Sequence, residues 1–376
     1  MSWQLTERHL ADLARGAAVL GTGGGGDPYV GQLLVRQAIH EFGSVTVLDP
    51  DEVDGDALVV PTAQMGAPTV VFEKLPRGTE AVTALRALEE RLGAAATATM
   101  PIECGGINSM IPLVVAARAG LPVVDADGMG RAFPELQMET FGVYGVPGSP
   151  MAVAGERGET TVIDTGSDNR RMEWLARGVT VQLGGVAHIA EYAMRGAEVT
   201  RAAVPRTLTL ALTIGRTIRR SRECNADPVA ELARALGGTL YGHLRVLFRG
   251  KIADVERRTE AGFARGRAAG RSFDGEHKLE LVFQNENLAA LVDDEVRCVV
   301  PDLVCVLDSE QAEPITTEAL HYGQRVTVVG ISTPDLMRTP EALAVFGPSA
   351  FGLPYDFESI EQLGAGIARP HSVTVT

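Results

Sequence analysis

Short apolar runs alternate with longer amphipathic stretches over the first 140 residues of the chain. Leu5, Thr6 and Leu10 form a hydrophobic staple around an N-cap, which predicts a helix from Glu7 to Leu20. A second helix is predicted to start at Pro28, capped by Asp27, and to run to about Glu41. Strands are predicted from Ser44 to Leu48 and from Asp56 to Val60, then an amphipathic helix from Thr79 to Leu92. Residues 97–135 read as strand, glycine loop, helix, strand and acidic loop. Ser109 is expected to cap a helix whose apolar face is Met110, Ile111, Val114 and Val115. Gly120 ends it in a left-handed conformation, and Val123 and Val124 form a buried strand. Strands alternating with helices in this way predict a largely parallel, helix-covered sheet.

The pattern changes after Phe141. Met151–Ala154 and Thr160–Ile163 flank Gly155-Glu156-Arg157-Gly158, a hairpin signature. Helices are predicted at Asn169 to Arg177, Val186 to Arg195, Thr207 to Arg220 and Pro228 to Leu236. From Tyr241 to Ile331 short strands dominate, among them Lys278 to Phe283, Val296 to Val300 and Arg325 to Gly330. The expected fold is α/β, with a mostly parallel helix-covered sheet in an N-terminal domain, residues 1–165. A second α+β domain, 166–376, is helical over 166–238 and β-rich over 239–335 before a C-terminal tail.

Length and composition support this division. A chain of 376 residues exceeds one ordinary core. With 45% hydrophobic residues, 5% aromatic and 42 Gly, it has the make-up of an α/β enzyme built from small side chains. A net charge of −14 argues against nucleic acid and anionic membrane surfaces as partners. The basic cluster Arg216–Arg222 reads as the solvated face of a helix. No apolar run reaches membrane-spanning length, and the charged N-terminus lacks the core of a signal peptide. Four scattered cysteines make no disulfide framework, so a cytoplasmic protein is expected.

Two glycine loops carry the candidate chemistry. Gly21-Thr22-Gly23-Gly24-Gly25-Gly26-Asp27 follows a predicted helix rather than a strand and has no lysine, which rules out a nucleotide loop. Gly23, Gly24, Gly25, Gly26 and Asp27 offer either a small-anion site of backbone N–H groups or a tight turn between helices. In Pro101-Ile102-Glu103-Cys104-Gly105-Gly106 only small groups crowd the sulfur. Cys104 therefore reads as a nucleophile or metal ligand near a helix N-terminus, against the alternative of a buried thiol. Glu103, Asp125, Asp127 and Glu135 cluster at strand ends, where a general base or proton donor would sit. His188 and Glu191, three apart on a predicted helix, suit a base with its orienting carboxylate or two metal ligands, and His243 is a further candidate. Cys298 and Cys305 are expected in the core and Cys224 on a surface loop. Gln284-Asn285-Glu286-Asn287 either recognises a ring amide or merely ends a strand, and the second reading is favoured.

Three segments also carry a resemblance: LGTGGGGDPYVG at Leu20–Gly31, PIECGGINS at Pro101–Ser109 and GLPVVDADGMGRAFPELQM at Gly120–Met138. They resemble the S-methyl thiohydantoin desulfurase family, and FQNENL, VPDLVCVLD and YGQRVTVVGI further on are similar to its second domain. The resemblance implies hydrolysis of a small S-methylated heterocycle to a hydantoin and methanethiol, in catabolism of ergothioneine-type compounds. It also implies a hydantoinase or oxoprolinase partner. Roles come from this sequence alone. The Cys104 thiolate would add to the ring carbon between the nitrogens while Glu103, Asp125, Asp127 or His188 move protons. The first glycine loop, Gly105, Gly106, Asn108 and Glu135 would hold the substrate. No cofactor is required in that reading; the alternative is a divalent metal such as zinc on Cys104, Asp125, His188 and His243, supplying hydroxide. A non-catalytic partner of a hydantoinase is the competing class, and a homo-oligomer is expected.

Overall fold

A computed structural model of the chain describes residues 1–26, 28–66, 70, 74, 76–260 and 263–363. Asp27, expected as a cap and anion ligand, lies outside the described residues. The first sheet is built from β1 (Trp3–Leu5), β2 (Val45–Leu48), β3 (Leu58–Gly66), β4 (Ala98–Met100) and β5 (Val123–Val124). At its centre β2, β5, β4 and β3 run parallel. Beyond the short β6 (Ala126–Asp127), the chain adds β7 (Met151–Ala154), β8 (Thr160–Ile163), β9 (Val186–Ala190) and β10 (Met194–Arg195). These extend the sheet antiparallel in the order β3-β9-β7-β8, with β10 on the upper part of β3. The fold is thus α/β with a mixed sheet whose parallel strands are central. Residues on both sides of 165 contribute to it.

Helices Glu80–Leu92 and Ile111–Ala119 cross between successive parallel strands and end on left-handed Gly93 (φ 68°) and Gly120 (φ 69°). Ser109 does not cap the second of these. It closes a 3-10 turn, Gly106–Ser109, with its hydroxyl donating to the Gly106 carbonyl at 2.7 Å, so the α-helix starts two residues later. The stretch expected as a helix over 186–195 is β9 and β10. Its run Val186-Ala187-His188-Ile189-Ala190 is short and apolar, a pattern periodicity alone cannot assign, and pairing by β3 and β7 decides for a strand. His188 and Glu191 therefore do not share a helix face.

Helix Glu7–Leu20 lies against helix Thr207–Glu223 with backbones in contact. A Cβ on Gly16 would overlap the Ala211 carbonyl, and one on Gly215 the Asp12 carbonyl. This close crossing fixes where the first helix ends, and so where the glycine tract begins. Of the basic cluster on the second helix, Arg219 pairs with Asp12 and Glu223, and Arg222 with Glu313.

A two-residue β11 (Val204–Pro205) pairs with β6. The remaining strands are β12 (Leu244–Glu260), β13 (Phe263–Ser272), β14 (Lys278–Gln284), β15 (Glu286–Val292), β16 (Glu295–Val299), β17 (Leu303–Asp308) and β18 (Arg325–Ile331). They form one antiparallel sheet, ordered β16-β15-β14-β13-β12-β18-β17, which curls into a half-barrel. Register shifts that leave an extra residue in β12, β15 and β16 supply the bulges that bend it. The main apolar core runs from helix Glu7–Leu20 through the first sheet to β15 and β17, so the two sheets share one interior.

Candidate functional site

A cleft with an inner cavity of about 80 Å³ opens at the carboxyl ends of β3 and β4, where an α/β sheet collects its chemistry. Gln64, Glu103, Asn108, Glu135, Arg177 and Glu286 supply its polar groups, and Met65, Phe133 and Leu136 are among its apolar walls. Glu103 is 4% exposed. Its carboxyl accepts from Asn108 Nδ2 at 2.8 Å and from the Phe133 N–H at 3.3 Å. Burial outweighs both donors, and with Asp127 nearby the Glu103 pKa rises to about 8. Asn108 is itself fixed, pairing with both the N–H (2.8 Å) and the carbonyl (3.2 Å) of Gln64 as a strand would.

The second acid of the cleft, Glu286 at the start of β15, is 2% exposed, and its Oε2 has no hydrogen-bond partner. Burial, then repulsion from Glu103, pushes its pKa well above the usual carboxylate range, while Arg131 pulls it down. The glycine tract makes room for this side chain, because a Cβ on Gly24 would overlap Glu286 Oε1. The tract also lies directly on the second glycine loop. Gly25 accepts from the Ile107 N–H at 2.9 Å, a Cβ on Gly25 would come within 2.8 Å of the Gly105 carbonyl carbon, and one on Gly106 would overlap Gly25. Both loops are glycine-rich because backbone meets backbone there. The Gly23 carbonyl accepts from both the N–H and the hydroxyl of Thr317.

Cys104 does not reach the cleft. It is 0% exposed within the main core, and its thiol donates to the Thr207 carbonyl at 3.3 Å. Burial, followed by the carboxyls of Asp127 and Asp125, drives its pKa well above that of an ordinary thiol, which opposes the exposed thiolate expected from sequence. The two aspartates have structural partners. Asp125 accepts from the N–H groups of Leu208 (2.9 Å) and Thr209 (3.1 Å) and from the Thr209 hydroxyl. Asp127 holds its own turn, accepting from Met129 (3.1 Å), Gly130 (2.6 Å) and the Cys104 N–H (2.6 Å); burial lifts its pKa to about 7.

His188 on β9 is buried, and burial pushes its pKa down to about 4, so the ring is neutral near pH 7. Its Nε2 lies 3.3 Å from Gln64 Nε2, which makes it a support for a cleft residue. His243 is remote from this group, its backbone tied to Ser332. Cys104, Asp125, His188 and His243 are not brought together, and no group of three or more His, Cys, Asp or Glu among the described residues is arranged to hold a metal ion. Glu135 does line the cleft, beside Gln137, which donates to it. Cys298 and Cys305 are buried and Cys224 is exposed.

Sequence reasoning favoured Glu286 as part of a strand end and passed over Gln64, Arg177 and Arg131. The last is a fully buried guanidinium behind the cleft, bonded to the first glycine loop, β15 and the turn before β17. A lone basic residue inside Asp127-Gly128-Met129-Gly130-Arg131-Ala132-Phe133 was the available signal.

Residues 8–165 match the S-Me-THD-like N-terminal domain and residues 167–360 the S-Me-THD-like C-terminal domain. The chain belongs to the S-methyl thiohydantoin desulfurase family. Each part of this desulfurase-family chain contributes one buried cleft acid, Glu103 from the first and Glu286 from the second. No curated protein matches the chain. A crystal structure of a protein from Chromobacterium violaceum is similar in fold, with a TM-score of 0.79 at 23% identity, covering 95% of this chain and all of that one. Among the described residues no helix is long and apolar enough to cross a membrane.

Proposed function

We propose that the chain hydrolyses an S-methyl thiohydantoin to a hydantoin and methanethiol, with Glu286 as general acid and Glu103, whose carboxylate is favoured by two N–H donors, as general base. The supporting observation is that two buried carboxyls share one cleft while Cys104 turns away from it. Two like acids in one desolvated site do not both ionise readily, so one keeps a proton while the other accepts one. The ring lies against Phe133 and Leu136 with its amide edge toward Gln64. Glu286 protonates the ring nitrogen, which makes the adjoining sulfur-bearing carbon electrophilic. Water adds to that carbon as Glu103 takes one of its protons. The carbon–sulfur bond then breaks as the new carbonyl forms; the hydroxyl proton returns to Glu286, and the proton on Glu103 goes to the departing methanethiolate.

Thiol release from an S-methyl thiohydantoin, read with a chromogenic disulfide, tests this. Glu103→Gln and Glu286→Gln are expected to lose roughly 10²–10⁴ of the wild-type rate. Cys104→Ala is expected to stay active and to lose stability, because it empties a core position. An inactive but folded Cys104→Ala, with both glutamine variants active, would overturn the reading. Because the working form of Glu103 is the carboxylate and its pKa is about 8, the rate is expected to rise as pH rises through that value.

A further inference from the structure

Gln64 on β3 and His188 on β9 are register partners across an antiparallel pair, so their side chains stand next to each other on one face of the sheet. Gln64 is buried and lines the cleft, and His188 is buried beside it. Gln64 Nε2 meets His188 Nε2 at 3.3 Å. An amide nitrogen only donates, so the imidazole nitrogen facing it accepts, and the neutral ring then carries its proton on Nδ1. With Nε2 spent on His188, Oε1 is the end of the Gln64 amide left for the cleft. Two other side-chain amides line the cleft, and each has its oxygen taken: Asn108 Oδ1 by the Gln64 N–H at 2.8 Å, and Asn285 Oδ1 by the Ala264 N–H at 2.8 Å. Among the described residues nothing donates to Gln64 Oε1. A carbonyl oxygen in a desolvated site is costly without a donor, so the donor has to come with the ligand.

We propose that His188 is a positioning residue that turns the Gln64 amide oxygen toward the ligand and so makes the cleft specific for a ring with a free amide N–H. This rests on the reading of the cleft as the site of the heterocycle. The two ring nitrogens are then told apart by different groups. The one protonated during the reaction belongs to a cleft acid, and the amide N–H belongs to Gln64. Glu103, Glu135 and Glu286 can each accept or donate according to their protonation, so they do not discriminate a ring nitrogen that bears hydrogen from one that lacks it. An amide locked by an imidazole has one role only. An alkyl group on the amide nitrogen, or an oxygen in its place, leaves Oε1 facing no donor, and a site built to make one hydrogen bond rejects the ligand that lacks it. His188 acts through Gln64 and does not itself touch the ring.

The tautomer is read by nitrogen-15 NMR of the imidazoles in the unliganded full-length chain at pH 7. The His188 signal is assigned by its loss in His188→Phe, or in His188→Asn should the first not fold. The proton is expected on Nδ1. A proton on Nε2 would mean that the amide oxygen faces the imidazole, and it overturns the proposal. The specificity is read by calorimetry with hydantoin and with the same ring methylated on the nitrogen between its two carbonyls. The wild type is expected to bind hydantoin at least about tenfold more tightly. In His188→Phe the amide is released, and that preference is expected to narrow by about fivefold or more through weaker binding of hydantoin. Gln64→Met removes the acceptor and should narrow it likewise. A preference unchanged in both variants would mean that the methyl group is excluded by its size alone, and it overturns the proposal. Binding needs no turnover. A wild type that prefers hydantoin but releases no thiol from an S-methyl thiohydantoin removes the hydrolase reading and keeps this one, whereas equal binding of the two rings, or none, overturns this one.

Discussion

Glu286 Oε1 occupies the space where Gly24 would carry a Cβ. Gly24→Ala would push the flexible end of a side chain rather than the backbone, so its stability is expected to change little. The carboxyl would nevertheless leave its place, and kcat/KM for thiol release is expected to drop at least tenfold. An equally active Gly24→Ala would mean that the position of Glu286 does not matter. At this scale the sequence drew notice to loops that border the cleft, while the Cys104 sulfur it expected to be exposed is buried. The Cys104 loop was legible from its glycines, but which neighbour faces the cleft depends on what packs behind it. Thr207 and the main core draw Cys104 inward and leave Glu103 outside. Glu286 was illegible because nothing local distinguishes an acid that ends a strand from one that enters a cleft far along the chain.

Among the elements, helix Thr207–Glu223 takes its N-terminal cap from a remote strand end. Arg206, at the capping position, is left-handed (φ 64°) and makes no side-chain cap, and Asp125 satisfies the first N–H groups in its place. Asp125→Ala is expected to cost about 1–2 kcal/mol in a urea unfolding curve, with Asp125→Asn losing less because it keeps an acceptor. An unchanged midpoint in Asp125→Ala would show that the cap is dispensable. Helices such as Pro228–Leu236, with an Asp cap and proline at the first position, and the hairpin at 151–163 were readable from sequence because their signals are local. β9 was not, because tertiary pairing determined its state.

For the whole molecule, the pH dependence of stability follows from its buried acids. Glu103 (about 8), Asp127 (about 7), Glu139, Glu191 and Glu286 all have native pKa values raised chiefly by burial. The native state keeps protons that the unfolded chain releases, so their contribution is full below the unfolded carboxylate range and is lost as pH rises through the native values, which for Asp127 and Glu103 means through 7 to 8. His188, lowered to about 4, acts oppositely: its contribution is present above the ordinary imidazole value and is lost as pH falls. Between about pH 6.5 and 8 the acids lose their contribution and His277, raised by its hydrogen bond to Asp293, acts in the same direction, so Tm is expected to fall by several degrees across that window. Glu103→Gln should shrink the fall in a calorimetric series; a flat or rising Tm would contradict the account.

The first sheet recruits β9 from beyond residue 165, and the cleft draws Glu103 and Glu286 from opposite sides of that point. A chain severed there would strand the acid on one fragment and the base on the other, with β3 left bare along one side. Neither piece would then work by itself, and methanethiol appearing only after the two are co-refolded would make this protein its own complementation reporter.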